Sequence, residues 1–146
     1  MTAAIDLPAS FHREPTIHRY FESFNRQEFT TTASLFAPDG ALLAPFEDPV
    51  VGYAAILDYL QREAPGMEAN PRGLETTADV DAEADDLKGH RQIIVKGSVK
   101  AVVFNVNVAW TFQLDADDRI QRVRVKLLAS LEDLIQFRPQ PVGEKP

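Results

Sequence analysis

A chain of 146 residues, 45% hydrophobic and 25% charged, suits one globular domain large enough to bury a real core. Its formal net charge of −7 disfavours nucleic acid and anionic membrane as partners, since both call for a concentrated positive surface. With no cysteine, disulfides, thiolate nucleophiles and Cys-ligated zinc are excluded.

The opening stretch MTAAIDLPASFHREP carries neither a basic leader nor an apolar run, and no segment reaches the length of a membrane span, so a soluble, cytoplasmic protein is expected. Residues 1–14 show little periodicity and read as a flexible arm. Ile17, Tyr20, Phe21 and Phe24 then fall at i, i+3, i+4 and i+7, which predicts a helix over 15–25 opened by Pro15. A second helix over 27–37 offers Phe29, Ala33, Leu35 and Phe36, and a Pro38-Asp39-Gly40 turn is expected to end it. A short strand follows over 41–46, broken up by Pro45, Asp48 and Pro49, before Val50-Val51-Gly52 resumes. The third helix, 53–64, turns Ile56, Leu57, Leu60 and Ala64 inward and stops at Pro65-Gly66. Asn70-Pro71-Arg72-Gly73 reads as a turn leading to a strand over 74–80.

Asp79, Asp81, Glu83 and Asp85 alternate as in a calcium loop, but Ala84 stands where such a loop turns on glycine; a solvated acidic connection is expected. Ile93, Val95, Val99 and Ala101 form the apolar phase of a half-buried strand, with Gly97 a candidate bulge. The stretch from 102 to 130 reads as a long hairpin with one core face and one wet face. In its first arm Phe104, Val106, Val108, Trp110, Phe112 and Leu114 share one side, Asp115-Ala116-Asp117-Asp118 turns the chain, and Val123, Val125 and Leu127 return. A short helix or turn over 131–137 and a polar, proline-rich tail over 138–146 close the sequence. Helices first and long strands afterwards give an α+β order, with the helices on one face of a curved, mainly antiparallel sheet, so that the whole forms a cone with an apolar interior. The residues expected to line that interior are Phe24, Phe36, Leu57, Leu60, Phe104, Val106, Val108, Phe112, Val125 and Leu127.

Tyr20 and Trp110 stand on these apolar faces, each carrying a hydrogen-bond donor, and by pattern alone they read either as core aromatics or as donors to a ligand. His18 lies on the side of its helix away from Tyr20, His12 is in the arm, and His90 has no second histidine at ligand spacing, so no metal is expected. Arg122, Arg124 and Lys126 share the polar face of the last strand, solvated or against a partner's acids. Tyr53 and Tyr59 are candidates for the mouth of the cone.

The order of elements, with FAPDG after the second helix and VVG before the third, resembles the NTF2-like, SnoaL-like superfamily over 15–137. Within it, NRQEF, LFAPDG, PFEDPVVG, Gly97-Ser98-Val99, NVAWTF and LLASLEDL, in that order, resemble the carotenoid-binding C-terminal domain of orange carotenoid proteins and their stand-alone homologues. That resemblance implies non-catalytic binding of a keto-carotenoid, as carrier or quencher, with the ring carbonyl held by Tyr20 and Trp110. It also implies a homodimer, or a separate helical carotenoid-binding protein, covering the open half of the site. Glu63 matches a family glutamate that bridges to an arginine between domains. The chain departs from the family in a shorter loop before NVAW, in Val103 where a tryptophan is usual, and in Lys126 where an aspartate is common. The alternatives are an isomerase- or cyclase-type enzyme, or a small hydrophobic ligand-binding protein, and a ligand-free dimerisation domain. In the isomerase comparison Tyr20 keeps its role, but Trp110 replaces the oxyanion aspartate and no carboxylate stands at 43–45; Glu47 and Asp48 read as a rim turn.

Overall fold

The computed structural model describes residues 9–77, 91–101 and 104–128. A 3-10 turn over Ala9–Arg13 leads into α1 (Pro15–Asn25), α2 (Phe29–Ser34), β1 (Phe36–Leu43), β2 (Val50–Val51), α3 (Tyr53–Glu63), β3 (Glu68–Thr77), β4 (Arg91–Lys100), β5 (Asn105–Leu114) and β6 (Ile120–Leu128). The strands make one six-stranded sheet in the order β2-β1-β6-β5-β4-β3. Every neighbouring pair is antiparallel except β1 with β6, which run parallel. The three helices pack on one face, the α+β arrangement expected from the element order. No helix among the described residues is long and apolar enough to cross a membrane.

The apolar stripe of α1 behaves as its spacing predicts: Ile17, Tyr20, Phe21 and Phe24 are all buried. The helix is pinned at both ends. At its start the Glu14 carboxylate accepts a hydrogen bond from Arg91 on β4 at 3.0 Å, Arg91 also holds Asp118 at 3.0 Å, and the Thr16 hydroxyl donates to the Asp118 carbonyl at 2.7 Å. At its end the Asn25 side chain donates to the Ala69 carbonyl at 2.9 Å and accepts from the Ala69 N–H at 2.7 Å, filling two backbone positions of β3 as a neighbouring strand would. Phe11, from the stretch read as a flexible arm, is fully buried and meets Phe21 edge to face. A single aromatic side chain in an otherwise polar stretch has no period to reveal it.

Two proline-glycine signals read as turns are strand irregularities instead. The second helix ends at Ser34, and Pro38-Asp39-Gly40 lies within β1, where the register to β6 slips between Phe36 and Ala41. Pro38 costs no ladder bond in such a bulge, and at Gly40 a Cβ would come within 2.6 Å of the Ile120 carbonyl oxygen. Likewise Asn70-Pro71-Arg72-Gly73 lies inside β3, an edge strand, with Arg72 the extra residue of a bulge between Pro71 and Gly73. Gly97 is not itself the bulge but faces it: a Cβ there would overlap the Asn70 carbonyl oxygen and stand 2.7 Å from the Pro71 Cα.

The hairpin of β5 and β6 forms with the expected apolar residues facing each other, Trp110 opposite Val125 and Phe112 opposite Val123. Its outer face is not uniformly wet. Ala109, in register between Lys96 and Lys126, is buried, and Gln113 is buried with its amide donating to the Gln92 side-chain oxygen at 3.2 Å. The turn is held by Asp115, whose Oδ1 accepts from the N–H groups of Asp117 and Arg119, both at 2.9 Å, while Oδ2 meets Arg119 Nε at 3.1 Å. The acidic run over 79–85, His90, Val103, the 131–137 segment and the 138–146 tail lie outside the described residues.

Two stability measurements test these placements. Gly97→Ala is expected to lower the unfolding free energy by about 1–3 kcal/mol in urea, because the obstructing atoms are backbone, whereas Gly73→Ala, with open space around its Cβ, should stay within about 0.5 kcal/mol. Burial pushes the Asp115 carboxyl up, but the N–H groups of Arg119 and Asp117 outweigh it and hold the carboxyl below its ordinary value. Its contribution is therefore complete above the unfolded pKa of about 3.9 and is lost as pH falls through the lower folded value. Asp115→Ala should cost about 1–2 kcal/mol at neutral pH, and the gap to wild type should shrink on acidification through that window.

Candidate ligand cavity

Between the helical layer and the concave face of the sheet lies a cavity of about 440 Å³, within the ordinary size range of ligand pockets. The 20th residue reaches it because α1 is fixed at both ends, and the 110th because β5 sits in the sheet interior. Tyr20 and Trp110, each only 3% exposed, mark the closed end. Tyr20 is set by four rings: it meets Phe112 edge to face at 5.1 Å and Phe21 at 5.3 Å, lies nearly parallel to Phe24, and tilts against Phe36. Trp110 receives Phe21 edge to face at 4.8 Å. These contacts lock both rings in place before any ligand arrives.

The Tyr20 hydroxyl and the Trp110 indole N–H find no hydrogen-bond partner among the described residues, although both side chains are buried. Buried donors normally have acceptors, and leaving one unpaired costs about 1–3 kcal/mol. Burial pushes the Tyr20 phenol well above its ordinary range, with Tyr59 nearby adding to the shift, so the group stays a protonated donor. Two neutral donors at the end of an apolar cavity suit a neutral acceptor such as a ketone.

Of the residues expected to line the interior, Phe24, Leu60, Phe104, Val106, Val108, Val125 and Leu127 do so together with Tyr20 and Trp110. Phe36, Leu57 and Phe112 do not. Phe36 and Phe112 lie behind Tyr20, walled off from the cavity by the ring they support, and Leu57 packs against the core from α3 beside Ile56. Tyr59, a candidate for the mouth, lines the cavity, whereas Pro45, Phe46 and Glu47 from the 44–49 loop, and Glu63 and Met67 at and beyond the end of α3, were not expected there. The stretch PFED, with an aromatic set among turn residues, was the available signal for the loop.

The mouth is apolar and exposed. Phe104 and Leu127 are 47% and 43% exposed, and Phe46 is 93% exposed while its backbone takes a left-handed φ of 65°. A bulky side chain in that region stores strain of roughly 1–3 kcal/mol, and here burial does not offset it. Glu47 and Glu63 bring the only charges to the lining among the described residues, and together with partial burial they raise the Tyr59 phenol. Arg62 does not line the cavity; it is paired with Asp58 at 3.0 Å and Glu63 at 3.3 Å. His12 and His18 meet edge to face near the start of α1, away from the cavity. Arg124 and Lys126 line an adjoining groove that shares the 44–47 stretch, Val125 and Leu127 with the cavity, and Tyr53 is exposed outside both. No cluster of three or more metal-ligating side chains occurs among the described residues.

Comparison with known proteins bears on this geometry. Residues 14–123 match the family described as the nuclear transport factor 2 (NTF2) domain. The chain is 33% identical over 127 residues to the orange carotenoid-binding protein of Synechocystis sp., covering 84% of this chain and 38% of that protein. It is 34% identical over 128 residues to the orange carotenoid-binding protein of Limnospira maxima, with the same coverage of 84% and 38%. The solved structure of the orange carotenoid protein of Anabaena (Nostoc) sp. binding canthaxanthin superposes with a TM-score of 0.76 at 29% identity, over 92% of this chain and 43% of that one. The chain thus spans well under half the length of the curated relatives it matches. With the fold, the order of its motifs and the family match in agreement, the chain belongs to the NTF2 domain family, in which it is similar to part of the orange carotenoid-binding proteins.

Proposed function

We propose that this chain binds the ring end of a keto-carotenoid without chemical conversion, the ring carbonyl accepting hydrogen bonds from the Tyr20 hydroxyl and the Trp110 indole N–H. The observation that carries this reading is the pair of buried donors on one apolar cavity, without acceptors among the described residues. The similarity to orange carotenoid-binding proteins, one of them solved with canthaxanthin, supports the choice of ligand class. Burial of the polyene supplies most of the affinity, at roughly 25 cal/mol per Å² of apolar surface, and the two hydrogen bonds add about 1 kcal/mol each while fixing orientation.

A carotenoid is a long rod, and its far portion leaves through the mouth. There Phe46, Phe104 and Leu127 present exposed apolar surface that a second copy of the chain would cover, consistent with a homodimer acting as carrier or quencher. A separate helical carotenoid-binding protein is the other partner that would complete the site. An isomerase-like reaction would need a carboxylate beside the Tyr20 end, whereas the carboxylates on this cavity, Glu47 and Glu63, stand at the exposed mouth.

Protein purified from a host that makes keto-carotenoids should carry a visible band red-shifted from the free pigment. Tyr20→Phe and Trp110→Phe should each weaken retention about fivefold, and the double variant about thirtyfold with loss of most of the red shift, while far-ultraviolet circular dichroism shows the fold retained. A folded wild-type protein that stays colourless with several keto-carotenoids would overturn the reading.

A further inference from the structure

We propose that Glu47 and Glu63 make the mouth of this cavity a charge filter, so that the site takes neutral polyenes and rejects those ending in a carboxylate. The inference rests on the ligand-binding reading above and narrows its substrate class. An apolar cavity with a polar inner end would suit a fatty acid or a retinoid acid as well as a ketone, so discrimination has to come from charge.

Such an acid can enter in two orientations, and the site opposes both. Head first, its carboxylate would be desolvated against Tyr20 and Trp110, which are neutral donors with no cation lining the cavity among the described residues. Tail first, it would rest at the mouth, where Glu47 on the 44–49 loop and Glu63 at the end of α3 are the charged lining groups among the described residues. Arg62, beside Glu63, is already held by Asp58 and Glu63 and leaves the rim negative. Arg124 and Lys126 alternate along β6 with Val125 and Leu127 and line an adjoining groove that shares Glu47 and those two apolar residues with the cavity, but neither cation lines the cavity itself. At Tyr59 on the same rim, partial burial and then Glu47 and Glu63 raise the phenol, against the opposing charge of Arg62, whose guanidinium stands 6.0 Å from the ring centroid. A ketone, ester or hydroxyl end meets none of this opposition.

The test compares methyl retinoate with retinoate, which share one polyene and one carbonyl position and differ in charge. Trp110 is the sole tryptophan and lines the cavity, so its fluorescence quenching reads occupancy directly. At low ionic strength the ester should bind at least about tenfold more tightly than the acid, and added salt should narrow that ratio. The double variant Glu47→Gln, Glu63→Gln should gain affinity for retinoate about three- to tenfold and lose the salt dependence of the ratio. Equal binding of ester and acid by the wild type, or an unchanged ratio in the folded double variant, would overturn the filter while leaving ester binding intact. Failure of the ester to quench would instead overturn the ligand-binding reading, and the filter with it.

Discussion

The edge-to-face interlock of α1 with β5, Tyr20 against Phe112 and Phe21 against Trp110, is the contact on which the rest of the molecule depends. It closes one end of the space between helices and sheet, and it places both buried donors on the same wall. The interlock holds only because α1 cannot slide. Its N-terminal end is tied through Glu14, Arg91 and Asp118 to the start of β4 and the β5–β6 turn, and its C-terminal end is tied through Asn25 to β3. Ring packing of this kind adds only about 0.5–1.5 kcal/mol per pair beyond area burial, so its importance here is geometric. A one-residue shift of the helix would rotate Tyr20 by about 100° and remove it from the cavity.

A fold gains nothing by burying a phenol and an indole that meet no acceptor among the described residues. Replacing both with phenylalanine would keep most of the apolar contact and remove an unsatisfied group from each. The left-handed, exposed Phe46 is a second place where folded-state stability is not what the residue serves. Both irregularities fall on one cavity, at its two ends, and that coincidence distinguishes a site from a core defect.

Much of this was legible in the sequence. The 3.6-residue stripe of α1 and the strict alternation of β5 are long enough to identify each element and its buried face, and they place Tyr20 and Trp110 on apolar surfaces. The proline-glycine stretches at 38–40 and 70–73 misled, because the residues that suit a turn also suit a bulge, and only the partner strand distinguishes them. Phe11 escaped for lack of any period around it. Phe112 is expected on the right side of its strand but not at the right depth, and Phe36, expected near the end of the second helix, opens β1 instead. Periodicity gives a direction from the backbone, and which ring stands in front of another depends on three-dimensional packing. The lining from the 44–49 loop was beyond reach for the same reason, since a loop's position is set by its anchors.

The parallel pairing of β1 with β6 joins segments some eighty residues apart in the chain, Leu42 beside Val123. Pairing of such long sequence separation is entropically slow, and β6 supplies Val125 and Leu127 to the cavity wall. During synthesis, then, the helices and the earlier strands emerge before the strand they must close against, and the cavity gains this part of its wall only once β6 has paired. A chain cut short before β6 would hold Tyr20 and Trp110 yet lack Val125 and Leu127 beside them.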